Sequence, residues 1–419
     1  MPLSVVQTQG QGKEGKLHIL IIAAERFLTT DRPLGGIFEH DQAHALKRAG
    51  FQIGVIAPKP RPLRLLKERL SGWPQGIEIL EDNGIRVFRY QGWGWAPGRT
   101  PRLSSQFYLM VGKRLFKQYI AEQGMPDIIH AHNVLYAGTL ALSIKMAYHV
   151  PFVVTEHSSV YLSEDFQEWQ LPIIRSVLEN ADARIVVSQH LGKALEKWVG
   201  TAACPWTLIP NILGSQFEDQ VVQEEQGAEG NDCFRFLNIA SMVAVKNHKS
   251  LLEAFSNKFR GAGSFQLRIG GNGPLCEELK ELAKNLGIAD QVIFLGAIAR
   301  KQVLAEMQAC NVFVLPSYHE TFGVALIEAL ACGKPVIATA CGGPEEIIHN
   351  GNGILVPPGD TETLANVMDE IVRRMDCYNS VAIRKDSVSR FGEKKVVTQL
   401  TNVYQQVINR NKWDKLSDD

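Results

Sequence analysis

The sequence predicts an α/β protein made of two consecutive, doubly wound parallel sheets with a cleft between them. Three observations lead there. Short β-branched runs alternate with helix-length segments along the whole chain, the rhythm of parallel strands lying under covering helices. The 419 residues exceed one ordinary core and suit two. A polar stretch, "GSQFEDQVVQEEQGAEGND" (214–232), carries six acids and no base and divides the alternation into two series.

In the first series the expected strands are "HILIIA" (18–23), "QIGVIA" (52–57), "DIIHAH" (127–132), "PFVVT" (151–155), "RIVVS" (184–188) and "WTLIP" (206–210). Helices are expected to begin near Ile37, Ser104, Ala137 and Gln189. The second series has strands at "FRFLNIAS" (234–241), "FQLRIGG" (265–271), "QVIFLG" (291–296), "NVFVLP" (311–316), "PVIAT" (335–339) and "GILVP" (353–357). Helical segments fall between them at Leu275–Leu286 and Leu304–Cys310. A last helical pattern at 396–410 is expected to fold back on the first unit. The units expected are thus 17–212, a linker at 213–232, and 233–395, with 396–410 joining the first.

Composition narrows the class. With 45% hydrophobic and 21% charged residues the chain reads as soluble and globular. Lys plus Arg equals Asp plus Glu at 44 each, so overall charge implies no polyanionic partner. Seven bases lie between Asn83 and Ala121 with no acid, and Lys59–Arg69 adds five more against Glu68. Together with Trp73, Trp93 and Trp95, the basic region 59–117 fits either a peripheral contact with anionic lipid headgroups or an ordinary solvated face. No nucleic-acid-binding module accompanies that charge. Seven scattered cysteines without a C-x-x-C pair suggest neither a disulfide framework nor a zinc site. The polar start "MPLSVVQTQGQGKEGK" lacks the apolar core of a signal peptide, and no apolar run approaches the roughly 20 residues of a bilayer span. The expectation is a cytosolic protein.

The stretch "PSYHETFGVALIEALACGKPVIAT" (316–339) suggests where a ligand sits. A strand ends at Pro316 and a helix closes at Gly333, so Glu320 falls in the loop before the helix and Glu328 on its second turn. The helix start near Phe322–Val324 presents free N–H groups and partial positive charge, a diphosphate site. Gly323 lets a ligand approach the backbone. Eight helical positions separate the two glutamates by at most about 12 Å, the span of a diphosphate flanked by two polyhydroxylated groups. On spacing alone, Glu320 as a helix-entry residue and Glu328 as a solvated face position fit equally well.

The pattern P-S-x-x-E-x-F-G-x-x-x-x-E-A-x-A-x-G-x-P-V-I-A resembles that of the family-4 retaining glycosyltransferases of the GT-B fold. "IASMVAVKNHKSLLEAF", "LRIGGNGPLCEELKELAKNLGIADQVIFLGAI" and "GGPEEIIHNGNGILVPPGDTETLA" are similar to that family's donor domain. "RPLGGIFEHDQAHALKRAGFQIGVIAP", "PDIIHAHN", "PFVVTEHSS", "IVVSQHL" and "LIPNIL" resemble its acceptor domain. The resemblance runs from Leu17 to Val372. It implies a nucleotide-diphosphate-sugar donor, a hydroxyl acceptor and no metal. Glu320 would contact the donor sugar, the backbone of Phe322 and Gly323 would meet sugar and phosphate, and Glu328 would hold the ribose. Lys246 would neutralise the diphosphate, Gly35 and Gly36 would approach it, and His157 would lie near the reacting sugar. Ser241 stands where many members carry Arg, so a second cation on the phosphates must come from elsewhere or be absent.

The flavour of "GIFEHDQAHAL" and "TEHSS" further resembles bacterial enzymes of surface or exopolysaccharide assembly, implying a glycan or lipid-linked acceptor and a place on the inner face of the cell membrane. A nucleotide-sugar epimerase and a catalytically silent nucleotide-sugar binder remain as alternatives. "GGNGPL" (270–275) could be a dinucleotide loop, but it lacks the full G-x-G-x-x-G fingerprint and reads better as a tight turn. His130 and His132 alternate on one strand face and could ligate a metal or line the cleft.

Overall fold

The computed structural model describes residues 16–27, 35–61, 76–94, 101–162, 167–200, 205–220 and 233–417. In the first unit the strands are β1 (His18–Ile22), β2 (Gln52–Ala57), β3 (Ile77–Asp82), β4 (Ile85–Tyr90), β5 (Ile128–His132), β6 (Phe152–Glu156), β7 (Ala183–Val186) and β8 (Thr207–Leu208). Its helices are α1 (Ile37–Arg48), α2 (Pro101–Gln123), α3 (Thr139–Tyr148), α4 (Leu171–Asn180), α5 (Gln189–Val199) and the single turn α6 (Ser215–Glu218). The strand order is β3-β4-β2-β1-β5-β6-β7-β8, parallel except for the β3–β4 pair.

In the second unit β9 (Phe234–Ile239), β10 (Phe265–Gly270), β11 (Val292–Gly296), β12 (Val312–Leu315), β13 (Val336–Thr339) and β14 (Gly353–Val356) form a wholly parallel sheet in the order β11-β10-β9-β12-β13-β14. Around it lie α7 (His248–Phe259), α8 (Cys276–Asn285), α9 (Arg300–Ala309), α10 (Val324–Ala331), α11 (Thr361–Arg373) and α12 (Ser380–Phe391). A long last helix, α13, runs Glu393–Ser417.

Strands buried on both faces explain the unbroken apolar runs. Along β1, Ile19 and Ile21 face one core while Leu20 and Ile22 face another. The first core takes Val396, Leu400 and Tyr404 from α13, so the chain returns to the first sheet after completing the second. Each such side chain contributes about 2 kcal/mol by burial. The opposite core takes Leu115, Phe116 and Tyr119 from α2.

Several elements differ from expectation. The β3–β4 hairpin is new; its two-residue turn, Asn83–Gly84, has φ of 48° and 81°, the doubly positive pattern that Asn-Gly supplies most readily. Helix α2 opens at Pro101, a residue pre-set for the first helical position, and α9 opens at Arg300. A π-turn at Val134–Gly138 delays α3 to Thr139, and α4 had no counterpart in the strand–helix reading. The segment taken as linker from 213 begins inside the core: Leu213 and Phe217 are fully buried. Residues 221–232 lie outside the described residues.

Both sheets reverse their winding at a central pair, β1 beside β5 and β9 beside β12. Loops leaving the carboxyl ends at such a reversal splay apart and open a crevice. Gly35 and Gly36 follow β1, His157 follows β6, Lys246 follows β9, and Glu320 follows β12.

Candidate functional site

Helix α10 starts without a side-chain cap, and its N-cap Gly323 has φ 106°. The first-turn N–H groups are therefore unclaimed by a capping side chain, and the left-handed backbone explains the glycine. Phe322 buries its ring edge-on to Phe391, centroids 5.7 Å apart, so only its backbone is available at this opening. A Cβ on Gly343 would fall 2.5 Å from the Phe322 carbonyl oxygen, so the loop after β13 lies flat against the same segment.

Glu320 is fixed by three contacts. Lys246 Nζ donates to Glu320 Oε1 at 2.5 Å, and Ser317 Oγ donates to the same oxygen at 2.7 Å. Gly343 N donates to the Glu320 carbonyl at 2.9 Å. Cation, carboxylate and helix start thus share one corner of the crevice, although Lys246 and Glu320 come from different strand ends.

Glu328 is 4% exposed, which rules out the solvated-face alternative. Burial pushes its carboxyl up to about 7, against the pull of Arg300, whose Nη1 donates to Glu328 Oε1 at 2.5 Å. Arg300 Nη2 donates to Asp41 Oδ2 of α1 at 2.7 Å, and its guanidinium lies 4.9 Å over the Phe217 ring. A second contact between the units ends at α5, where Glu346 Oε1 accepts from Gln189 N at 2.6 Å and His190 N at 3.2 Å.

In the first unit Gly36 caps α1 at φ 70°, and its neighbour Gly35 is half-buried beside it. Beneath the loop, Glu39 is fully buried; Ala24 N donates to its Oε1 at 3.1 Å while Oε2 has no partner. Burial, with Glu25 nearby, pushes this carboxyl up to about 8. His157 is placed by its neighbour: the buried Glu156 carboxylate accepts from Val134 N, His157 N and Ser158 N at 2.8, 2.8 and 2.7 Å. The His157 ring lies tilted against Phe38, centroids 4.3 Å apart, with Nε2 3.0 Å from His132 Nδ1. Burial holds His157 well below the ordinary imidazole value, so the ring is neutral.

Behind it, His130 has Nδ1 2.6 Å from Tyr404 Oη and Nε2 2.7 Å from Thr155 Oγ1. His132 has its other nitrogen 3.4 Å from Gln42 Nε2. Every nitrogen of these two rings faces a protein partner, and the rings form a buried polar stack. The glycines of 270–275 are explained by packing: a Cβ on Gly271 or Gly273 would collide with the carbonyls of Ala240 or Met242, so a tight turn accounts for them. Ser241 is exposed and brings no charge to this corner.

Residues 220–381 match the family model described as glycosyl transferases group 1, and residues 37–213 match that of glycosyltransferase family 4. The N-acetyl-alpha-D-glucosaminyl L-malate synthase of Bacillus anthracis is 33% identical over 307 residues, covering 71% of this chain and 79% of that protein. The chain belongs to the family-4 glycosyltransferases. This glycosyltransferase is also 25% identical over 345 residues to a Bacillus subtilis protein named for teichuronic acid biosynthesis, TuaC, covering 80% of this chain and 85% of the other. In structure it is similar to Anabaena HepE, solved with UDP and glucose, at TM-score 0.69 and 19% identity, covering 93% of this chain and all of that one. That likeness gives the glycosyltransferase the GT-B fold.

Arg300, Asp41, Glu346 and Glu156 went unnoticed in the sequence. Arg300 and Asp41 meet across 259 positions, and no local spacing announces such a pair. Glu156 was legible only as a neighbour of His157 in "TEHSS".

Proposed function

We propose that this glycosyltransferase takes a nucleotide-diphosphate-sugar and moves the sugar, with retention, to a hydroxyl acceptor in the crevice between the sheets. The observation that carries the proposal is the Lys246–Glu320 contact of 2.5 Å beside the uncapped start of α10. Phosphate oxygens suit the N–H groups of Gly323 and Val324 and the Lys246 ammonium, with Gly35 and Gly36 closing from the other sheet. Glu320 faces the sugar hydroxyls, and Glu328, oriented by Arg300, takes the ribose hydroxyls.

Among the described residues, neither Glu320 nor Glu156 is free to serve as a covalent nucleophile: Glu320 is held by Lys246, and Glu156 is spent on three backbone amides. The anomeric carbon–oxygen bond breaks toward phosphate, the acceptor oxygen attacks the same face, and its proton passes to the departing phosphate oxygen. Lys246 and the helix start stabilise the charge that develops there, and no metal is required of the chain. Neutral His157 hydrogen-bonds the reacting sugar without competing for that proton.

A role in surface-polysaccharide assembly draws support from the TuaC likeness, and uridine nucleotides become the first donors to try from the HepE complexes. Contact with an anionic bilayer through the basic region 59–117 rests on a smaller surface than its charge count. Lys59 pairs with Glu25, Arg86 with Glu122 and Arg89 with Glu78, while Arg61 is buried against Gln91. Exposed Lys113, Arg114 and Lys117 remain on α2, with Leu103 and Met110 also exposed. Residues 62–75 and 95–100, with Trp73 and Trp95, lie outside the described residues. Among the described residues, no helix is long and apolar enough to cross a membrane.

The test is a panel of nucleotide-sugars scored by thermal shift, followed by acceptor-dependent turnover with the best donor. A donor should raise the melting temperature, Glu320→Gln should abolish transfer while keeping the fold, and the product should retain the donor's anomeric configuration. An inverted product, or turnover that needs no acceptor as in an epimerase, would overturn the reading.

A further inference from the structure

We propose that His40, His44 and Asp82 form a binding site for a first-row divalent cation of the zinc type, at the edge strand of the first sheet. His40 and His44 are four positions apart on α1, so their rings share one helix face, centroids 4.4 Å apart. Asp82 is the last residue of β3 and is carried to that face by the Asn83–Gly84 turn. His40 Nε2 and His44 Nε2 lie 2.9 and 2.7 Å from one and the same oxygen, Asp82 Oδ2. All three ligand atoms lie within 4.8 Å of one another, and among the described residues no other three His, Cys, Asp or Glu side chains converge this way.

Two imidazoles and a carboxylate are a common zinc set, with ligands at about 2.0–2.2 Å and tetrahedral edges of roughly 3.3 Å. Each histidine therefore has to withdraw from Asp82 by about half an ångström to admit the ion. Side-chain exposures of 26%, 11% and 16% leave the fourth position open to solvent.

A second observation concerns the other nitrogen of His40. Its Nδ1 is buried without a hydrogen-bond partner, and Asp41 Oδ1 lies 3.8 Å away. A histidine that ligates through Nε2 carries its proton on Nδ1, the atom without a partner here, and closing the 3.8 Å gap to Asp41 Oδ1 would supply one, as carboxylates behind ligating histidines do at zinc sites.

Full-length protein stripped with a chelator and titrated with Co²⁺ should show one equivalent bound with the intense visible bands of tetrahedral cobalt, and Zn²⁺ should displace it. His44→Ala, His40→Gln and Asp82→Asn should each weaken binding by about tenfold or more, with circular dichroism unchanged. If one variant misfolds, the other two decide. Absence of binding in the natural protein, thiolate-to-cobalt bands that move the ion to a cysteine, or unchanged affinity in the folded variants would each overturn the proposal.

Discussion

Arg300 ties Glu328 of α10 to Asp41 of α1, with Nη1 2.5 Å from one carboxylate and Nη2 2.7 Å from the other. One guanidinium thereby neutralises a buried acid in the second unit and fastens the first unit to it. Arg300→Met should cost about 3–5 kcal/mol, the penalty of leaving a buried charge without its partner. Urea denaturation checks it, and adding Glu328→Gln should recover most of the loss. The cost should also shrink at acidic pH, because Glu328, already pushed up to about 7, is then protonated and needs no counter-charge.

Removing the ammonium that faces Glu320 should act on turnover far more than on folding. Lys246→Ala should lower kcat by about a hundredfold to a thousandfold, the loss typical of one electrostatic stabiliser in a transition state. Its melting temperature should stay within a few degrees of the parent. Steady-state kinetics against the best donor decides the matter; an unchanged kcat would remove Lys246 from the mechanism.

Glu39 makes a pH-dependent prediction. Its folded value of about 8 stands above the ordinary 4.5, so the folded state keeps a proton the unfolded chain has lost. Stability is full below 4.5 and falls as pH rises toward 8, by at most about 1.4 kcal/mol per unit. Glu39→Gln mimics the protonated form. Its stability relative to the parent should therefore grow with pH across that window, as read by denaturation midpoints.

Gly343→Ala should disturb donor binding without unfolding the chain. The added methyl has nowhere to go except into the Phe322 backbone, which carries the start of α10. Calorimetric titration should show donor affinity weakened by about tenfold or more, equivalent to at least about 1.4 kcal/mol, while the isolated melting transition persists.

Much of this architecture was legible because parallel sheets write themselves as apolar runs. All six expected strands of the second unit exist, and α1 and α5 begin where the pattern put them. The β3–β4 hairpin was missed although Asn83–Gly84 announces it, since a search tuned to parallel strands passes over alternating edge strands such as "IEILED". At the candidate site, Lys246 and Glu320 do meet and Glu328 is buried, yet its partner Arg300 was invisible. Sequence spacing reports neighbours along a helix; it is silent about a guanidinium reaching between two sheets. The basic region showed the converse weakness, because acids remote in sequence, Glu122 and Glu25, claim several of its charges.

The return of α13 to the first sheet affects how this chain is made. Tyr404, fully buried, reaches His130 from a segment translated after the entire second sheet. Until those residues emerge, the face of β1 that carries Ile19 and Ile21 has only the cover that α1 brings through Ala43, Ala45 and Leu46, and a nascent first unit leaves part of it open to chaperones and to neighbouring chains. Vectorial folding of the first half on the ribosome is therefore incomplete by construction.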